Sequence, residues 1–241
     1  MEMVRVLGRM LGASNQTFLA EDADGTRWVY KPAAGERRLW DFPDGPLGRR
    51  EVAAHALARH LRIATVPETV WGDGPLGEGS LQRFVDGRPT DLVDVVAPES
   101  VTERWLPVAT GLDAHGAPVA LVHADDPALR EVALLDVLLN NSDRKGGHLL
   151  DTDDGLVAID HGVSLHVDWK LRTVLWGFAG EPLTDAELAV ARRAAAIVGP
   201  LSDGLHDDEW AAVVVRAEAL VADGLFPAPS PGWPPIPWPP F

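Results

Sequence analysis

The first third of the chain has the hydrophobic pattern of strands and turns, and a helical period then sets in. Val4 and Val6 mark a short alternating piece, a loop follows with Gly8, Gly12, Ser14 and Asn15, and then comes "TFLAE". The tight turn "DADG" and the run "TRWVYKP" complete a predicted hairpin. In "RREVAAHALARHLR" the apolar residues Ala53, Leu57 and Leu61 recur at i, i+4, which predicts an amphipathic helix. Two further strands are expected in "IATVPETVWG" and "GSLQRFVDG", on either side of the turn "DGPLGE".

From residue 88 onward the pattern predicts helices. "DDPALREVALLDVLLNN" opens with Asp125 or Asp126 as cap and Pro127 in the first turn, and its apolar positions spread around the cylinder, so burial on most sides is expected. "HLLDTDDGLVAID" reads as a hairpin, while "TDAELAVARRAAAIVG" and "HDDEWAAVVVRAEALVADG" read as two capped helices ending in glycine. The proline-rich end, "FPAPSPGWPPIPWPPF", predicts polyproline II with Trp233, Trp238 and Phe241 as anchors. No repeat of solenoid period is present. The expected organisation is α+β: a β-rich lobe of five strands and one helix over 1–87, a mainly helical lobe holding one hairpin over 88–226, and a tail over 227–241.

A chain of 241 residues, 46% hydrophobic, is long enough for a sizeable core. It has no cysteine, which excludes disulfides, thiolate metal sites and thiol nucleophiles and agrees with a reducing compartment. The start lacks the apolar core of a signal peptide, and no window approaches the roughly 20 apolar residues of a membrane span, so a cytoplasmic protein without stable membrane insertion is expected. With Lys+Arg 21 against Asp+Glu 36 the net charge is -15, which disfavours nucleic acid as a partner. An anionic ligand remains compatible where a metal ion and a few placed cations offset that field.

A sheet lobe followed by a helical lobe is the order in which kinase-type phosphotransferases enclose a nucleotide, so the chemically necessary residues are expected at the joints. A phosphoryl-transfer site needs a fixed cation on the phosphates, commonly steadied by a helix glutamate. Lys31 at the end of "RWVYKP" and Glu51 in the predicted helix fit those roles, against the bland reading of a solvated lysine and a dipole-favoured acid. Ser14 and Asn15, in a loop of small residues, are candidates for phosphate contact, although a plain turn explains them almost as well. Gln82, Arg83, Phe84 and Val85 occupy the expected connector, where backbone groups would meet an adenine edge.

The strongest local signal is "NNSDRKGGHLL". A short loop leaving a buried helix holds Asp143 where a carboxylate can orient or deprotonate an incoming hydroxyl, the competing reading being a helix cap with Asp143 and Arg144 paired on the surface. In "LVAIDHG", Asp160 ends an apolar strand before Gly162, a placement suited to magnesium on nucleotide phosphates, against a simple turn. Downstream, Lys170 and Arg172 are either surface charge or contacts to an acidic substrate, and Trp169, Trp176 and Phe178 are expected to pack. The remaining histidines show no metal-binding spacing, and no G-x-S-x-G is present.

The strings "NSDRKGGHLL", "AIDHG", "VYKP" and "GRREVAAHAL" together resemble the phosphatidylinositol 3-/4-kinase-like superfamily, in particular a bacterial branch related to type II phosphatidylinositol 4-kinases and, more distantly, to HipA-like kinases. The resemblance covers about residues 5 to 185 and is most specific in the two loops. It implies a two-lobed protein-kinase-like fold that binds ATP and magnesium. It also implies that Asp143 is the catalytic-loop aspartate, Asp160 the metal aspartate, Lys31 the phosphate lysine and Glu51 its helix partner. His148 stands where the family pattern has Asn as a second metal ligand, and imidazole is a poorer magnesium ligand than an oxygen donor.

The expected function is therefore an ATP- and magnesium-dependent phosphotransferase acting on a hydroxyl of a protein or small molecule. A lipid acceptor is not expected of so acidic a chain. His148 favours the alternative of a pseudokinase that senses nucleotide or serves as a scaffold. A third reading, a metal-dependent hydrolase, would draw on Asp143, His148, Asp160 and His161.

Overall fold

The computed structural model describes residues 4–12, 15–37, 39–42 and 46–241. Strands β1 (Arg5–Arg9), β2 (Phe18–Glu21), β3 (Arg27–Pro32), β4 (Thr69–Gly74) and β5 (Gly77–Arg83) form one antiparallel sheet in the order β1-β2-β3-β5-β4. Gly8 lies within β1, opposite Leu19, so it belongs to the sheet and not to the loop expected to meet phosphate. On β3 the alternation is plain. Trp28 and Tyr30 are buried in a small cluster with Val4, Ala20 and Leu81, and Lys31 projects from the opposite face.

Helix α1 (Leu47–Leu61) lies against β4 and β5, yet its apolar residues Ala53, Leu57 and Leu61 are buried in the main core of the other lobe. Arg50 fixes it there. Its guanidinium pairs with Glu209 at 2.5 Å and donates to the Ser164 carbonyl at 2.8 Å. The helix that carries Glu51 is thus anchored to both lobes.

The second lobe holds more sheet than the sequence predicts. Strand β6 (Arg88–Pro89) adds to a later hairpin, and β7 (Val93–Val96), β8 (Trp105–Leu112) and β9 (Pro118–Ala124) form a separate three-stranded sheet in the order β7-β9-β8. This corrects the expectation of helices directly after residue 88. β8 carries Pro107, its register shifts between Pro107 and Ala109, and it is half or fully exposed along its length, so alternation is weak there.

Helix α2 (Pro127–Leu139) has Asp126 as its cap, accepting from the Ala128 amide at 2.8 Å, and is buried along most of its length. It ends at Asn140 in the left-handed region. The hairpin of β10 (Leu149–Thr152) and β11 (Gly155–Ala158) follows as expected, with β6 beside β10. Helices α3 (Asp185–Ala195) and α4 (Asp207–Asp223) pack together and close the lobe. Among the described residues no helix is long and apolar enough to cross a membrane.

Candidate functional site

Four segments meet at one cleft between the lobes. β3 delivers Lys31, α1 delivers Glu51, and the two loops flanking the β10–β11 hairpin deliver Asp143 and Asp160. The Lys31 amine donates to Glu51 at 2.5 Å and to Asp160 at 3.0 Å. Burial opposes its charge, but the Asp160 and Glu51 carboxylates prevail and hold the amine above its ordinary value. Asp160 is held well below the usual carboxylate range by the Lys31 ammonium, against the effect of burial. Burial pushes Glu51 up while Lys31 pulls it down.

Asp160 sits at φ 60°, in the left-handed region. The following amide, His161 N–H, donates to the second oxygen of Glu51 at 3.2 Å. Glu51 therefore ties the amine of one lobe to the Asp160 turn of the other.

The loop bearing Asp143 is held from beneath. Arg144 is fully buried and does not pair with its neighbour, which overturns the reading of a surface Asp143–Arg144 pair. Its guanidinium makes two bonds to Asp136 of α2, at 2.9 and 3.0 Å, and donates to the Ile159 carbonyl at 2.9 Å. It also lies 2.7 Å from Nε2 of His161. Asn141 extends the brace: its amide donates to Asp136 at 2.9 Å and its oxygen accepts from the Asp143 N–H at 3.0 Å. Asp143 itself remains in the cleft, 3.4 Å from Lys145, with a carboxyl raised by burial against the pull of that lysine.

Asp136 and Asn141 were not among the residues singled out in the sequence, and Arg144 entered only as a surface partner of Asp143. One signal was available, since the acid inside "VALLDVLLNN" must find a cationic partner if it is buried.

The other candidates divide. Asn15 lines the cleft and its side-chain oxygen accepts from the Arg37 amide at 2.8 Å, whereas Ser14 lies outside the described residues. Gln82, Arg83, Phe84 and Val85 are not among the residues lining this cleft. Gln82 is paired on both sides, with Val29 and Thr69. The amides of Arg83 and Phe84 donate to the carbonyls of Glu68 and Arg27, so those donors are not open to an adenine edge. Lys170 is not surface charge. It is buried beside Asp41 at 3.6 Å, with Trp40, Phe42 and Trp233 around its amine. Trp176 and Phe178 are core residues, and Trp169 packs against the core.

The donor set suits a divalent cation that completes its shell on phosphate and water. His148 places Nε2 3.5 Å from Asp160, burial drives its pKa down to about 4, and the neutral ring is able to coordinate. Its buried Nδ1 has no hydrogen-bond partner. Among the described residues no group of three or more His, Asp or Glu side chains could enclose a metal unaided, which leaves the hydrolase reading without a cage.

No protein-family model matches the chain. Protein Rv2133c of Mycobacterium tuberculosis (strain ATCC 25618 / H37Rv) is 47% identical over 255 residues, spanning 98% of this chain and 91% of its own length. A Golgi casein kinase with Mn/ADP bound superposes with a TM-score of 0.53 at 14% identity, covering 92% of this chain and 73% of that one. The Helicobacter pylori proinflammatory kinase CtkA gives 0.48 at 9% identity over 92% of each chain. The Golgi enzyme's likeness shows the fold, two-lobed and kinase-like.

Proposed function

The chain belongs to the family of Protein Rv2133c, and for it we propose a phosphotransferase that moves the γ-phosphoryl group of ATP, with magnesium, to a hydroxyl of a small molecule or protein. The observation that carries this reading is the Lys31 amine held between Glu51 and Asp160, with Asp143 in the same cleft. Lys31 gives a permanently charged donor for the phosphates, and its two carboxylates fix its direction. Asp160 and His148 would hold the metal ion, which when bound neutralises phosphate charge. Asp143 accepts a hydrogen bond from the acceptor hydroxyl and takes its proton as the new P–O bond forms and ADP departs. The buried Arg144–Asp136 pair keeps that carboxylate in place.

The likeness of the two loops to phosphatidylinositol 3-/4-kinase-like enzymes supports phosphoryl transfer. A lipid acceptor is not part of the proposal, because a net charge of -15 is repelled by an anionic membrane surface. His148 favours a second reading, a nucleotide-binding pseudokinase. Incubation with ATP, magnesium and a panel of hydroxyl acceptors separates the two. Turnover by the wild type that Asp143→Ala abolishes supports the enzyme, and intact nucleotide binding without turnover in either supports the sensor.

A further inference from the structure

The chain's own C-terminal stretch forms part of the cleft, on the side where Asp143 stands. The Pro235 carbonyl accepts from the Thr173 amide at 3.0 Å and from the Trp176 indole at 2.6 Å, and Ile236 packs against the main core. Further along, the Pro240 carbonyl accepts from the Gly146 amide at 2.8 Å. The Phe241 ring fills the space beside that glycine, where an added Cβ would lie 2.3 Å from the ring. Between these anchors Trp238 lines the cleft with Asp143, Lys145 and Arg172, its indole 86% exposed.

The docked tail limits what can approach. An extended peptide acceptor that adds as a strand binds chiefly through backbone hydrogen bonds. Along 172–174 those donors are taken: Arg172 N–H by Asn141, Thr173 N–H by Pro235 and Val174 N–H by Arg144. A compact molecule meets a different surface. Lys145 is engaged by Asp143. Arg172 donates through Nε to the Ser142 carbonyl at 2.7 Å and its guanidinium lies over the Trp233 ring at 5.3 Å, and among the described residues it forms no ion pair. An anionic group beside it gains a charge-assisted bond in the cleft that it shares with Lys31 and Asp160, about 320 Å³ in all.

Resting on the phosphotransferase reading, we propose that this subsite takes a small hydroxylated anion. Its hydroxyl points to Asp143, its anionic group meets Arg172, and Trp238 forms the wall that covers it. The tail, in place, excludes an extended peptide.

The test uses the full chain, with sn-glycerol 3-phosphate as the small probe and dephosphorylated casein as the protein probe, titrated by calorimetry beside ATP. Saturable glycerol 3-phosphate binding is expected, weakened about tenfold or more in Arg172→Gln and in Trp238→Ala, the loss of one charge-assisted bond or one aromatic wall. Thermal unfolding midpoints check that both variants fold. No glycerol 3-phosphate binding, unchanged binding in both variants, or tight casein binding with the tail in place overturns the proposal. Absence of ATP binding in the wild type instead removes the phosphotransferase reading beneath it.

Discussion

Lys31 and Arg144 are two cations at the cleft whose loss leaves a carboxylate stranded inside the protein. Glu51 is almost fully buried, so Lys31→Met removes its counter-charge and is expected to cost about 3 kcal/mol in urea unfolding as well as nucleotide affinity. Lys31→Met with Glu51→Gln recovers much of the stability and none of the affinity, which separates the structural from the functional part of the pair. Arg144→Lys is expected to behave nearly as badly as Arg144→Met, because one ammonium cannot reproduce two bonds to Asp136 and a third to Ile159. Equal stability of Arg144→Lys and wild type would show that the brace carries little. Asp143→Asn keeps the hydrogen bonds of its loop and loses only the basic carboxylate, so turnover falls about 100-fold or more while ATP still binds.

At the level of elements, β3 and β5 approach so closely that a Cβ on Gly79 would lie 2.2 Å from the Lys31 carbonyl. Gly79→Ala must push the strand carrying the amine, at a cost of about 2 kcal/mol and with loss of ATP affinity. Gly111→Ala in β8, where an added methyl meets open space, serves as the control that changes neither. The first sheet was readable in the chain because "TFLAE" and "TRWVYKP" are short runs rich in aromatic and β-branched residues on either side of the turn "DADG". The second was not, because β8 is interrupted by Pro107 and faces solvent along much of its length. Asp143 and Asp160 stood out through loop chemistry, and Lys31 and Glu51 through their places on a predicted strand and helix. The neighbours of the adenine-edge candidates did not, since whether an amide at Arg83 or Phe84 is free depends on Glu68 and Arg27, which only the folded sheet brings near.

For the whole molecule, buried neutral histidines set the response to acid. Burial lowers His123 and His161 below their ordinary value and takes His148 down to about 4. Between the ordinary 6.5 and those folded values the unfolded chain binds protons that the native one does not. The histidine contribution to stability is therefore complete above pH 6.5 and declines as pH falls toward 4, His148 alone accounting for about 3 kcal/mol, while the carboxyls of Glu36, Glu51, Glu131 and Asp143, which burial raises, oppose part of that loss. Urea midpoints at pH 7 and pH 5 check this, and equal midpoints would contradict it. Fold and chemistry meet in the cleft that α1 bridges by holding Glu51 against Lys31 while its apolar face sits in the second lobe. The most direct measurement is a crystal structure with magnesium and a non-hydrolysable ATP analogue. The account predicts phosphate oxygens on the Lys31 amine, a metal ion on Asp160 and an open path from the terminal phosphate to Asp143. A nucleotide bound elsewhere, or Lys31 and Asp160 left untouched by it, would contradict the account.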